Sequence, residues 1–218
     1  MKIWQHILSW LYPSKCILCQ RILEEEETDL CHACRVDTPQ CDRTMAKYSF
    51  LTKWCALWRY EGNVRECLHR YKFLGRQSYA PVLGRLLAMK LLQEEMTEFH
   101  ILTYVPISKR RLRRRGFDQV QLLAQHVAAE LGIPLAATLE KNRHNKQQSR
   151  IHGAAKRRAN VLGVYRTLPG VDLQDKRILL LDDIVTTGAT ASECARVLLT
   201  AGAKEVQLAV IATADHQK

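Results

Sequence analysis

The run Ile178-Leu179-Leu180-Leu181-Asp182-Asp183-Ile184-Val185-Thr186-Thr187-Gly188-Ala189-Thr190 constrains the fold more than any other stretch of the chain. Its aliphatic opening reads as a buried strand, and two carboxylates follow where the strand ends, the edge at which open α/β sheets bind ligands. The small and hydroxylic residues Thr186, Thr187, Gly188, Ala189 and Thr190 then form a turn. Its backbone N–H groups, with the Thr187 and Thr190 hydroxyls, suit a phosphate. Gly188 permits close approach of the backbone. A helix beginning at Thr190 points its positive end at the same place, and Thr190 with Glu193 fits a capping box. Asp182 and Asp183 can accept hydrogen bonds from vicinal ribose hydroxyls, so the ligand that suits the whole run is a sugar phosphate. A bare strand-to-helix turn would not need the acid pair and the Thr-Thr-Gly-x-Thr loop together.

The rest of the body repeats the same alternation. Trp54 to Tyr60 reads as a strand, Asn63 to Phe73 and Ser78 to Met96 as amphipathic helices, Phe99 to Ile107 as a strand, and Phe117 to Leu131 as a helix. Gly132-Ile133-Pro134 turns out of that helix. Arg177 to Leu181, Thr190 to Ala201 and Val206 to Thr213 continue as strand, helix and strand. The prediction is an α/β domain with a mainly parallel sheet flanked by helices, over residues 46–218. Lys141 to Arg158 is densely basic and poor in helical pattern, which predicts a mobile loop.

Residues 1–45 predict a small separate module. Cys16 and Cys19 form one close pair, Cys31 and Cys34 another, with eleven residues between the pairs. A two-residue gap lets both thiolates of a pair reach one ion, and two such knuckles complete a closed tetrahedral Zn²⁺ site, which is structural because no position stays open. Zinc is favoured over disulfides, since nothing indicates export. Met1 to Tyr12 carries an apolar stripe but no long apolar core or cleavage site, so it is not a signal peptide. Packing on its own domain is the commoner fate of such a helix, and contact with a membrane surface is the other. No stretch approaches the length of a membrane span, and a cytoplasmic protein is expected.

Lys and Arg number 33 against 22 Asp and Glu, a formal net charge of +11 that favours polyanionic partners. Six of the seven residues from Lys109 to Arg115 are basic. Two readings of that run stand together, a solvated charge run and a contact to a diphosphate.

In the strand, acid pair and Thr-Gly-x-Thr loop the chain resembles the type I phosphoribosyltransferases. It is more closely similar to the ComF/GntX family. That resemblance runs through the cysteine knuckles, Arg115-Gly116-Phe117-Asp118-Gln119, Gln148-Ser149, Arg158-Ala159-Asn160-Val161 and the acid-pair loop. The family usually has Asn where Asp118 stands, and many members carry a further cysteine pair, of which only Cys41 is present, with Thr44 at the partner position. The resemblance implies phosphoribosyl diphosphate bound with Mg²⁺, and Asp182 and Asp183 as catalytic residues. It implies a 5′-phosphate loop over Thr186, Thr187, Gly188, Ala189 and Thr190. It also implies a diphosphate loop at Val105 to Lys109, and a lid over Lys141 to Arg158, with Lys109, Arg115, Arg150 and Arg158 meeting the diphosphate. The activity implied is transfer of the phosphoribosyl group to an unidentified nitrogen acceptor. The alternative implied is an accessory role in DNA uptake, binding single-stranded DNA or DNA-uptake proteins. A homo-oligomer stays open.

Overall fold

The structure, a computed structural model, describes residues 13–41, 48–142 and 161–214. Arg150, Arg158 and most of the expected lid lie outside them, as do the segment Met1 to Tyr12 and Thr44.

Four strands form a parallel sheet: β1 (Trp54–Arg59), β2 (Ile101–Tyr104), β5 (Arg177–Val185) and β6 (Glu205–Thr213), in the order β1-β6-β5-β2. Leu135 bridges in parallel to Leu102 beyond β2, and the Leu102 N–H donates to the Pro134 carbonyl at 2.9 Å. A short antiparallel ribbon, β3 (Leu139–Lys141) with β4 (Tyr165–Thr167), stands apart from this sheet. The helices are α1 (His32–Asp37), α2 (Gly62–Phe73), α3 (Ala80–Gln93), α4 (Lys109–Arg115), α5 (Gln119–Leu131) and α6 (Ala189–Thr200).

The central strands are apolar almost throughout because helices cover both faces of the sheet, as parallel pairing through crossover helices requires. Alternate residues of β5 enter different cores. Leu179 and Leu181 join Leu102, Ala209 and Ile211 under α2, α3 and α5, whereas Ile178 and Leu180 join Val206, Leu208 and Val210 under α6 and β4. Each fully buried leucine contributes about 1.5–3 kcal/mol relative to an exposed one. The α3–α5 contact is tight: a Cβ at Gly84 would lie 2.5 Å from the His126 Cβ.

The cysteine knuckles are continuous with the first core. Cys16, Ile17, Leu18, Cys31 and Cys34 are buried in the same cluster as Val64, Leu68 and Tyr71 of α2. Arg70 Nη2 donates to the carbonyls of Ile17 and Leu18 at 3.0 and 2.6 Å.

Three local expectations change, and one basic run that carried no expectation of secondary structure takes a regular form. Lys109 to Arg115 is a helix, because Ser108 caps it by accepting from the Arg111 N–H at 3.3 Å and Gly116 closes it at φ +80°. The strand expected at Phe99 to Ile107 is the shorter β2, since Pro106 cannot donate to a ladder. The second amphipathic helix begins as a 3₁₀ turn at Gln77–Tyr79 and ends at Gln93. Thr190 and Glu193 form no capping box. Gly188, at φ +69°, is the N-cap, which puts Thr190 inside α6. Glu193 instead accepts from the Gly163 N–H at 2.8 Å and from Arg196 at 2.9 Å. Among the described residues no helix is long and apolar enough to cross a membrane.

Candidate active site and candidate zinc centre

The cavity at the carboxyl ends of β2 and β5 has a volume of about 420 Å³. β5 brings Asp182 and Asp183 to it, and the loop from Thr186 to Thr190 closes one side. β2 brings Val105 to Ile107 because the Val105 N–H pairs with the Leu181 carbonyl at 2.9 Å. Asp118 holds that loop: its Oδ2 accepts from the Ile107 N–H at 3.1 Å, while its Oδ1 caps α5 through the Val120 and Gln121 N–H groups at 2.9 and 3.2 Å.

The pleat sends the two aspartates to different faces. Asp183 continues the Leu179 and Leu181 row and meets Lys72 of α2, whose Nζ is 2.8 Å from Oδ1. Gln119 of α5 donates to Oδ2, also at 2.8 Å. Burial pushes the Asp183 carboxyl up, but Lys72 and Gln119 outweigh it and hold the group below the usual carboxylate range. Asp182 faces the side of α6 and the β3–β4 ribbon, and its Oδ1 accepts from the Asp183 N–H at 2.8 Å. Burial, reinforced by the neighbouring Asp183 charge, pushes Asp182 well above that range.

α4 sorts the basic run. Arg111, Arg114 and Arg115, at helical spacing i, i+3, i+4, line the cavity. Lys109, Arg110 and Arg113 are exposed and lie outside its lining. Arg115 stacks over Phe73 at 4.9 Å and donates through Nη1 to Gln119, and its Nε is buried without a partner among the described residues. Thr187 Oγ1 is likewise a buried hydroxyl without a partner there. Arg115 belongs to the cavity lining, whereas Thr187 is the one residue of its loop that does not.

Opposite α4, Lys141 of β3 donates to the Tyr165 hydroxyl at 3.4 Å and lies over its ring. Burial, with help from Arg111, lowers Lys141 to about 8. Lys72, Gln119, Lys141 and Tyr165 also belong to the cavity; the sequence offers no signal for Lys72 or Tyr165, and brings in Gln119 and Lys141 only as the ends of a motif and of the basic stretch. The i, i+3, i+4 spacing of the arginines was the one signal available for α4. Gly188 has a role different from the one expected: a Cβ there would lie 2.1 Å from the Tyr48 ring, so the residue admits a neighbouring side chain.

Of the other expected residues, Cys16, Cys19, Cys31 and Cys34 come together with their sulfur atoms all within 4.8 Å of one another. The Cys19 and Cys31 sulfurs are 3.6 Å apart, close to the roughly 3.8 Å edge of a tetrahedron with 2.3 Å Zn–S bonds. The donor set fits one structural zinc ion.

Comparison with known proteins agrees with both regions. The Phosphoribosyl transferase domain family matches residues 121–218, and the Double zinc ribbon domain family matches residues 7–49. The DNA utilization protein YhgH of Salmonella typhimurium is 30% identical over 203 residues, covering 88% of this chain and 87% of that protein. Competence protein ComFC of Streptococcus pneumoniae is 28% identical over 228 residues, covering 88% and 97%. The chain belongs to the ComF family. ComF membership accounts for a phosphoribosyltransferase-type domain and a zinc ribbon in one chain. Among solved structures, a glutamine phosphoribosylpyrophosphate amidotransferase of B. subtilis is 26% identical with a TM-score of 0.44, and this chain spans 65% of its own length and 30% of that protein.

Proposed function

We propose that the cavity binds phosphoribosyl diphosphate together with Mg²⁺ and that the protein transfers the phosphoribosyl group to a nitrogen acceptor. The observation that carries this reading is the charge lining one cavity: Lys72, Arg111, Arg114, Arg115 and Lys141 outnumber the carboxylates Asp182 and Asp183, so the cavity suits a polyanion that also has hydroxyls to donate. In this reading the ribose hydroxyls donate to the acid pair, with Asp182 the carboxylate whose oxygens are less engaged. The loop from Thr186 to Thr190, four of whose five residues line the cavity, takes the 5′-phosphate through its backbone N–H groups.

Transfer breaks the bond from the anomeric carbon to the diphosphate oxygen, which leaves with the electron pair. The nitrogen acceptor supplies the pair for the new bond and gives up a proton. Negative charge grows on the diphosphate, and Arg111, Arg114 and Arg115 stand where fixed cations would stabilise it. When bound, Mg²⁺ would neutralise part of the same charge. Arg150 and Arg158 would add to it if their segment covers the site. Titration calorimetry with phosphoribosyl diphosphate and Mg²⁺ tests the binding step, and diphosphate release across a panel of bases and amines tests transfer. No heat of binding from zinc-loaded protein would sink the proposal.

A second reading, an accessory role in handling single-stranded DNA, is favoured by the names of the relatives, a DNA utilization protein and a competence protein, and by the exposed cations Lys109, Arg110 and Arg113.

A further inference from the structure

The acid pair is unequal. Both oxygens of Asp183 are occupied from within the fold, by Lys72 Nζ at 2.8 Å and Gln119 Nε2 at 2.8 Å. The Lys72 and Asp183 side chains are 15% and 10% exposed, so this is not a surface pair that water can easily replace. Neighbours on both sides fix the lysine. Tyr71 is fully buried and its hydroxyl donates to the Gln119 carbonyl at 2.7 Å, while the Phe73 ring carries Arg115. Lys72 therefore sits on the last turn of α2 with its ammonium aimed at the end of β5.

Adjacent carboxylates with free lone pairs are a hard oxygen site for Mg²⁺ or Mn²⁺. An ammonium group against Asp183 offsets the charge that would draw a cation there, and a bare divalent cation approaching Asp182 meets it as a like charge. A metal already complexed to a diphosphate meets the opposite field. The complex carries net negative charge, so Lys72 attracts it together with Arg111, Arg114 and Arg115.

We propose that Lys72 is a positioning residue, the standing counter-ion of Asp183, which keeps free divalent cations off the acid pair so that metal enters this cavity as its complex with a polyphosphate. The identity of that complex rests on the phosphoribosyl diphosphate reading. The behaviour toward free metal does not.

The test uses full-length, zinc-loaded protein and Mn²⁺ alone, with free Mn²⁺ followed by electron paramagnetic resonance. Lys72→Met should bind Mn²⁺ about tenfold more tightly than wild type, or better, and Lys72→Arg should restore the wild-type affinity. In calorimetry the metal complex of phosphoribosyl diphosphate should bind Lys72→Met more weakly, the reverse of the free-metal effect. A residue that only supports the fold would lower thermal stability without this inversion. A folded Lys72→Met with unchanged Mn²⁺ affinity overturns the proposal. If the variant does not fold, wild type decides: free Mn²⁺ bound at micromolar concentrations overturns it, and binding confined to millimolar concentrations supports it. Failure of wild type to bind phosphoribosyl diphosphate would instead count against the functional reading and leave the Mn²⁺ comparison standing.

Discussion

Asp182 and Asp183 are neighbours in the chain, but isosteric amide substitutions at the two positions should move stability in opposite directions. Asp183 is held below the usual carboxylate range, so its contribution is present above the unfolded value and lost as pH falls through the folded one. Asp182 is raised, so stability is greatest below the unfolded value and declines as pH rises through the folded one. At neutral pH Asp183→Asn leaves Lys72 facing an amide and should cost about 1–3 kcal/mol, less than for a fully dry pair. Asp182→Asn removes a poorly solvated carboxylate and should be neutral or stabilising by about 1 kcal/mol. Thermal unfolding of both variants and wild type across about pH 2 to 8 reads the two signs, and equal destabilisation by both would contradict the geometry. Both should weaken phosphoribosyl diphosphate binding. Asp118 yields a second expectation. All three of its contacts are accepted hydrogen bonds, shared between two oxygens, and an amide has only one acceptor. Asp118→Asn should keep the α5 cap, release the Ile107 N–H, and cost about 1 kcal/mol, visible as faster hydrogen exchange at Ile107 with α5 amides unchanged. The acid pair was legible in the sequence because strand, carboxylates and loop are contiguous. The pairing of Lys72 and Gln119 with Asp183 was not, because they come from helices far along the chain that meet Asp183 only after α2 and α5 pack on the same face of the sheet.

Elements with a strong local period were legible: β1, α2, α5, α6 and β6 lie within one or two residues of their expected bounds, while β5 runs four residues past its expected end and carries the acid pair inside the strand. The failures have local causes. The helix at Lys109–Arg115 shows no apolar periodicity, and only the Ser108 and Gly116 caps at its two ends mark it. The β3–β4 ribbon is short and its partners are separated by residues 142–164, so no hairpin signal joins them. The zinc knuckle shows how elements depend on one another. Its carbonyls at Ile17 and Leu18 hold Arg70 of α2, and Lys72 lies two residues further along the same helix. Loss of zinc should therefore reach the cavity. Chelation, or Cys16→Ser, should loosen residues 13–41 first and then raise hydrogen exchange through α2, while β5 and β6 amides stay protected. Phosphoribosyl diphosphate affinity should fall as α2 loosens. An unchanged exchange pattern in α2 after verified zinc removal would show that the buried contacts hold the knuckle without metal.

At the scale of the whole molecule the net charge is +11, and the six basic residues of α4 divide between two faces. The face bearing Arg111, Arg114 and Arg115 turns into the cavity, and the face bearing Lys109, Arg110 and Arg113 turns to solvent. A small polyanion and a nucleic acid strand would therefore not compete for the same cations. Single-stranded DNA should bind weakly and without sequence preference through the outer face. Each phosphate neutralised on a single strand contributes about −0.7 to the slope of log affinity against log salt. Charge reversal at Lys109, Arg110 and Arg113 should make that slope shallower by about 2 if each contacts one phosphate, and it should leave phosphoribosyl diphosphate binding intact. Arg111→Ala with Arg114→Ala should do the reverse, weakening the sugar diphosphate strongly and DNA only slightly. Fluorescence anisotropy of a labelled oligonucleotide across a salt series, with and without saturating Mg²⁺ and phosphoribosyl diphosphate, distinguishes the surfaces. Bound DNA should persist when the sugar diphosphate is added. Complete displacement would place the DNA in the cavity and make the exposed arginines bystanders. A slope unchanged by the triple reversal would show that the DNA contacts lie elsewhere on the molecule.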